Sequence, residues 1–187
     1  MTREEAWALL TEWTTTDHLI KHSLAVEAAL RAYARRLGED EEKWALAGLL
    51  HDFDYERHQT LDRHPKEGAP VLRQRGVPDD VVYAILSHGL DAEAPPRRSA
   101  LDRALFAVDE LTGFITAVAL VRPNRDLNEV EVSSVRKKMK DKAFARAVSR
   151  EDVVQGAELM GVTLDEHIGV VLVAMRGIAP RLGLTSG

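Results

Sequence analysis

Apolar positions recur three and four residues apart along almost the whole chain, the period of helices with one buried face. Residues 3–13 put Trp7, Leu10 and Trp13 on one side. A second helix is predicted from a cap at Thr16 or Asp17 to about Leu37, where Gly38 stops it. Leu19, Ile20, Leu24, Val26, Leu30 and Tyr33 form its stripe. A third runs from near Asp40 to His51-Asp52, and residues 53–63 make a polar connection. Helices are expected over about 65–75, closed by Gly76, over about 79–88, and over 100–121 behind a Ser99 cap. The segment DAEAPPRRS before Ser99 is a loop, and RPNRD is a turn. Helices over 133–148, 150–160 and 164–178 follow, with Ser149 and Thr163 as caps and Thr163 with Glu166 as a capping box. The tail after Pro180 is expected to be loose. NEVEVSSV alternates too briefly for a strand. The class is all-α, a helical bundle in a single domain over 1–187, with a core over about 17–121 and additional C-terminal helices over about 133–178.

One stretch breaks the pattern. In WALAGLLHDFDY, residues 44–55, an apolar run from Trp44 to Leu50 ends abruptly on His51 and Asp52. Burying an unpaired carboxylate costs several kcal/mol or forces it to take up a proton. A cation shared between imidazole nitrogen and carboxylate oxygen removes that cost. A polar helix end is the alternative, although there His suits the dipole and Asp opposes it.

Composition narrows the chemistry. The chain has no cysteine, which excludes disulfides, thiolate zinc sites, iron–sulfur clusters and cysteine nucleophiles, and leaves seven histidines as the nitrogen ligands. MTREEAWALLTEW lacks the basic start and apolar run of a signal peptide, and the longest apolar stretches, near 114–121 and 168–175, are too short to span a bilayer. A cytoplasmic protein without membrane contact is expected. The net charge of −5 makes no general case for nucleic acid.

Further polar groups stand where the helical pattern asks for apolar ones or for a buried terminus. They are His22 between Ile20 and Leu24, His64 before the fourth helix, His88 at the end of the fifth, and Asp109 in LFAVDELTGFI. Singly, each reads as a satisfied core residue. Together with His51 and Asp52 they are too many to be tolerated unpaired.

The order H…HD…H…H…D over about residues 17–113, with the words HSLAVEAALRAYA and LAGLLHD, resembles the HD-domain superfamily, and within it the branch that holds two metals. The chain looks like small prokaryotic HD proteins described as hydrolases, and is also similar to HD-type symmetrical dinucleoside tetraphosphatases. The resemblance implies that His22, His51, Asp52 and Asp109 hold one metal, and that Asp52 bridges to a second completed by His64 and His88. Adjacent helical residues point roughly a third of a turn apart, compatible with that division. So much nitrogen suits two divalent transition-metal ions, Fe or Mn first, with Zn, Co or Ni as alternatives.

Other residues divide between roles. Asp54, Tyr55, Glu110, Thr112 and Gly113 flank the ligands and are candidates for supporting the ligands or lining the substrate pocket, Asp54 as a substrate contact; Gly113 in mid-helix costs about 1 kcal/mol relative to Ala. His58 is a candidate substrate contact, His18 a solvated position or a neighbour of the ligands, and His167 carries no signal. RKKMKDKAFAR, residues 136–146, has six basic side chains and one acid. It reads either as a solvated helix face, with Val135, Met139 and Phe144 inward, or as Lys138, Lys142, Arg146 or Arg150 reaching over the metals to hold phosphate. The tetrapeptide Pro123–Asp126 is similar to one in the tetraphosphatases, but there it lies much nearer the last Asp, so no role is transferred.

The resemblance implies a metal-dependent phosphohydrolase in which a metal-activated water attacks a phosphoester or nucleotide-type substrate, with Asp52 catalytic. The partner is a small phosphorylated molecule, and no nucleic acid is expected. Two alternatives stand: an HD-fold mixed-valence di-iron oxygenase, and a non-catalytic nucleotide-binding regulatory module. The ligands alone do not separate the two chemistries, and substrate and oligomeric state are open.

Overall fold

A computed structural model describes residues 1–60, 62–89 and 92–186. Leu61, Leu90 and Asp91 therefore take parts of the expected loops 53–63 and 89–99 outside the described residues. The described chain is helical: α1 (Arg3–Trp13), α2 (Asp17–Leu37), α3 (Glu41–Leu50), α4 (Ala69–Gln74), α5 (Asp79–Ser87) and α6 (Ala100–Leu120). A 3-10 turn (Leu127–Glu129) then leads to α7 (Val132–Met139), α8 (Arg150–Leu159), α9 (Leu164–Arg176) and α10 (Ala179–Leu182). No helix among the described residues is long and apolar enough to cross a membrane.

The start signals act as their chemistry requires. Thr2 with Glu5 and Ser99 with Asp102 form capping boxes, and the Asp40 side chain accepts from the Lys43 amide. Gly38 ends α2 at φ +72°, a conformation that costs a side chain dearly and glycine little. Thr163 accepts from the Glu166 amide, but the Glu166 carboxylate turns to Arg36 instead of closing the box.

α2 is the central rod, packed against α3, α6 and α9. Its approach to α3 is set by Gly48, where a Cβ would stand 2.7 Å from the Glu27 Cα. Buried Glu27 receives Arg3 at 2.6 Å and Arg31 at 3.1 Å, so its charge is compensated from both sides. All seven residues from Trp44 to Leu50 are buried, which brings the end of α3 into the interior.

Two further expectations fail. The helix expected over 133–148 stops at Met139, and residues 142–147 are turns. Closely spaced Arg136, Lys137, Lys138, Lys140 and Lys142 repel one another in a helix. Asp141 draws the Ala143 and Phe144 amides to its carboxylate instead. The Arg150 guanidinium then donates to the carbonyls of Ala145, Val148 and Phe144 and fixes the loop. The tail after Pro180 is not loose either. Leu182 and Leu184 are buried, and the Ser186 amide and hydroxyl donate to Asp126 at 3.0 and 2.7 Å.

Candidate metal centre

Five elements converge where α3 ends. The chain keeps a helical turn through His51 and then runs in turns to Arg57. Glu56 ties those turns to the start of α2 by accepting from the Thr15 amide at 2.8 Å and the Thr16 amide at 3.0 Å. Those amide bonds, with the Thr15 hydroxyl, hold its carboxyl down at about 2. His22 on α2 is thereby held against His51 and Asp52. His64 comes from the turns after Thr60, His88 from the last turn of α5 and Asp109 from mid-α6.

The two oxygens of Asp52 face different partners. Oδ1 lies 3.1 Å from His64 Nε2 and 3.4 Å from His88 Nε2. Oδ2 lies 3.4 Å from His51 Nε2 and 3.8 Å from His22 Nε2. Asp109 Oδ1 sits on that second side, 2.9 Å from His22 Nε2 and 3.5 Å from His51 Nε2. The donor atoms of His22, His51 and Asp52, and those of Asp52, His64 and His88, lie within 4.8 Å of one another, two triads joined at Asp52.

These residues fit a metal by a direct test. His51 donates Nδ1–H to Gly48 O at 2.8 Å, His64 to Asp54 Oδ1 at 2.7 Å, and His88 to Ile85 O. With their ring protons on Nδ1, neutral His64 and His88 point Nε2 lone pairs at each other across 3.3 Å. That contact needs a proton or a metal ion between the two nitrogens, and such partners at Nδ1 are what metal-binding imidazoles use. Burial opposes charge on His64, yet Asp52 and Asp54 outweigh it and raise its pKa to about 9; Asp52 and Asp109 raise His51 likewise. Protons and cations therefore compete for the same nitrogens.

A cavity of about 330 Å³ opens over the cluster, walled by Tyr55, Phe106, Glu110, Gly113 and Val148. Burial and neighbouring Asp109 push Glu110 up to about 7, while it accepts from the Ser149 amide at 3.1 Å. The residues assigned to metal by resemblance come together here. The expected substrate contacts do not line this cavity. Asp54 is 0% exposed and lies behind His64, with its second oxygen on the Gly68 amide at 2.9 Å. His58 stands beside Trp13, ring centres 6.4 Å apart. Lys138 lies over Phe144 at 4.6 Å beside a different cleft, Lys142 and Arg146 are exposed, and Arg150 is turned to backbone carbonyls. Val148 and Phe106 were missed, because an apolar residue that walls a cavity carries no mark distinguishing it from core.

Residues 19–155 match the family model described as HD domain. The chain belongs to the HD-domain family. Among curated relatives of this HD domain, Ribonuclease Y of Desulfotalea psychrophila is 36% identical over 98 residues, covering 52% of this chain and 18% of that protein. Ribonuclease Y of Pseudothermotoga lettingae is 27% identical over 136 residues, 72% of this chain and 27% of that protein. The chain thus spans about a quarter or less of the length of these relatives. No solved structure matches it.

Proposed function

We propose that this HD domain is a metal-dependent phosphohydrolase with a dinuclear centre, acting on a small phosphoester. The observation that carries this reading is the division of Asp52, whose two oxygens face two separate groups of imidazoles. His22, His51, Asp52 and Asp109 would hold one ion, and Asp52, His64 and His88 the other. Divalent ions held there would supply Lewis acidity toward a phosphoryl oxygen and lower the pKa of a water near neutral pH.

The chain's own residues supply the rest. Gly48 O, Asp54 and Ile85 O fix the three imidazoles with Nε2 turned inward. Phe106 and Val148 keep one wall of the cavity apolar, which strengthens electrostatic contacts within it. Glu110 is open to the cavity beside Asp109 and accepts from the Ser149 amide. The relatives named Ribonuclease Y favour a phosphodiester as the second reading, in place of a phosphomonoester.

The test is metal analysis of the purified protein, then a panel of phosphomonoesters, nucleotides and phosphodiesters with Mn²⁺ or Fe²⁺ supplied. Two bound ions and hydrolysis that Asp52→Ala abolishes are expected. A coupled Fe(II)/Fe(III) signal with O₂ uptake would replace the reading by the oxygenase. Bound metal with no turnover across the panel would replace it by the binding module.

A further inference from the structure

The basic run is the sequence feature that the metal centre leaves unused. Its helix, α7, carries Ser133, Ser134, Lys137 and Lys138 on one side, a turn apart. Val118, Val121 and Arg122 share one side at the end of α6 in the same way. Between them lies a cleft of about 490 Å³, lined by these residues and, among the described residues, by no carboxylate. Val118 stands about two and a half turns beyond Asp109, so the cleft and the metal cluster lie on opposite sides of α6.

Three cations therefore share one cleft without a counter-charge. Among the described residues none of Arg122, Lys137 and Lys138 is ion-paired, and Lys138 lies over the Phe144 ring at 4.6 Å. The acids around α7 are engaged elsewhere: Glu131 with Arg176 at 3.3 Å, Asp165 with Arg136 at 3.2 Å, Glu129 with Asn124, and Asp141 with the Ala143 and Phe144 amides. Cations do suit helix C-termini, and both α6 and α7 end here. Each such end carries only about half a negative charge, however, about one in all against three cations. Arg122 donates from one amino group to Ser134 Oγ, yet its Nε is shielded from solvent and has no hydrogen-bond partner among the described residues. A donor so placed lacks an acceptor.

We propose that this cleft binds a diphosphate group, at a site separate from the metal centre and independent of its chemistry. A guanidinium fork matches phosphoryl oxygens two at a time, and the two ammonium groups add charge without a fixed direction. Ser133 and Ser134 add hydroxyls that can donate to further oxygens. A carboxylate presents two oxygens, too few for a fork, two ammonium groups and two hydroxyls. A single phosphate would leave much of the cleft unfilled, since its volume falls in the range of about 300–1,000 Å³ that suits larger small molecules. Two linked phosphoryl groups offer oxygens to both helices.

The test is calorimetric titration of pyrophosphate, methyl diphosphate, inorganic phosphate and citrate at constant ionic strength. The proteins are the wild type, Ser133→Glu, Lys137→Glu and Asp52→Ala. Ser133 and Lys137 are exposed, so their variants should fold, while Asp52→Ala disables the metal cluster as a rival anion site. Pyrophosphate should bind wild type and Asp52→Ala alike, at least about tenfold more tightly than inorganic phosphate or citrate. Each glutamate variant should weaken it at least about tenfold, and the amide signals of Ser133, Ser134 and Lys137 should move during titration. Methyl diphosphate binding equally well supports the site with a diphosphate ester as its source; pyrophosphate binding alone supports it with the free anion. Binding lost in Asp52→Ala but kept in both glutamate variants places the anion at the metal cluster and overturns the cleft. Citrate binding as tightly as pyrophosphate reduces the cleft to a general basic surface and overturns the phosphate. Inorganic phosphate binding as tightly overturns the diphosphate, and no binding of pyrophosphate overturns the site.

Discussion

His64 donates its Nδ1 proton to Asp54 at 2.7 Å, and Asp54 takes the Gly68 amide on its other oxygen at 2.9 Å. The carboxylate thereby fixes which nitrogen of His64 is free. Asp54→Asn keeps the shape, but its amide can turn an N–H toward the ring. Metal affinity should fall about 10- to 100-fold with the fold intact, the usual cost of losing such a partner. Titration of Mn²⁺ against both proteins, with circular dichroism as control, measures it; equal affinities would refute the role.

Gly68 presses against the same carboxylate. A Cβ there would lie 2.6 Å from Asp54 Oδ2, whereas Gly48 meets α2 backbone at 2.7 Å. Gly48→Ala should therefore destabilise the fold by about 1–3 kcal/mol, the usual cost of overpacking. Urea denaturation is the measurement, and an unchanged midpoint would show that α2 and α3 can part without cost.

His167 gives a pH dependence remote from the metal cluster. It accepts from the Tyr33 hydroxyl at 2.6 Å and donates to Ala107 O at 2.8 Å, a pairing open only to neutral imidazole. Burial lowers its pKa from 6.5. Below that value the unfolded chain takes up a proton that the folded chain refuses. The contribution is complete above the unfolded pKa and is lost as pH falls toward the depressed folded value. Unfolding free energies at about pH 7.5 and about pH 5.5 should differ less in His167→Gln than in the wild type. Identical differences would count against it.

Arg150 closes the 141–148 loop through carbonyls, not through substrate. Arg150→Met should cost about 1 kcal/mol, because several partly buried carbonyls lose their donor. Faster proteolysis within 141–148 should accompany it. Stability and protection equal to wild type would leave Arg150 free for another task.

Removal of metal should be felt by the whole domain, since its ligands come from segments far apart in the chain. At free Mn²⁺ about a hundred times Kd, binding to the folded state alone adds about 2.7 kcal/mol. The Tm should fall on chelation and return on adding metal. A Tm indifferent to Mn²⁺ would argue against the cluster as a cation site.

The first nine helices, most caps and the residues that convene at the cluster were legible in the sequence, whereas α10 lies in the tail that was expected to be loose. Periodicity, caps and polar residues on apolar faces are local marks: Gly38, Ser99 and His51-Asp52 each reveal themselves within one or two turns. The paired use of Asp52 came from resemblance, and its geometry needed the coordinates. Tertiary structure alone decided that the tail is buried and that Asp54 serves His64 from behind. It also decided that the basic run stays away from the cavity while Gly113 lines it. Each depends on a partner remote in sequence, such as Gly68 for Asp54 or Asp126 for Ser186, and local pattern holds no record of which distant group will arrive.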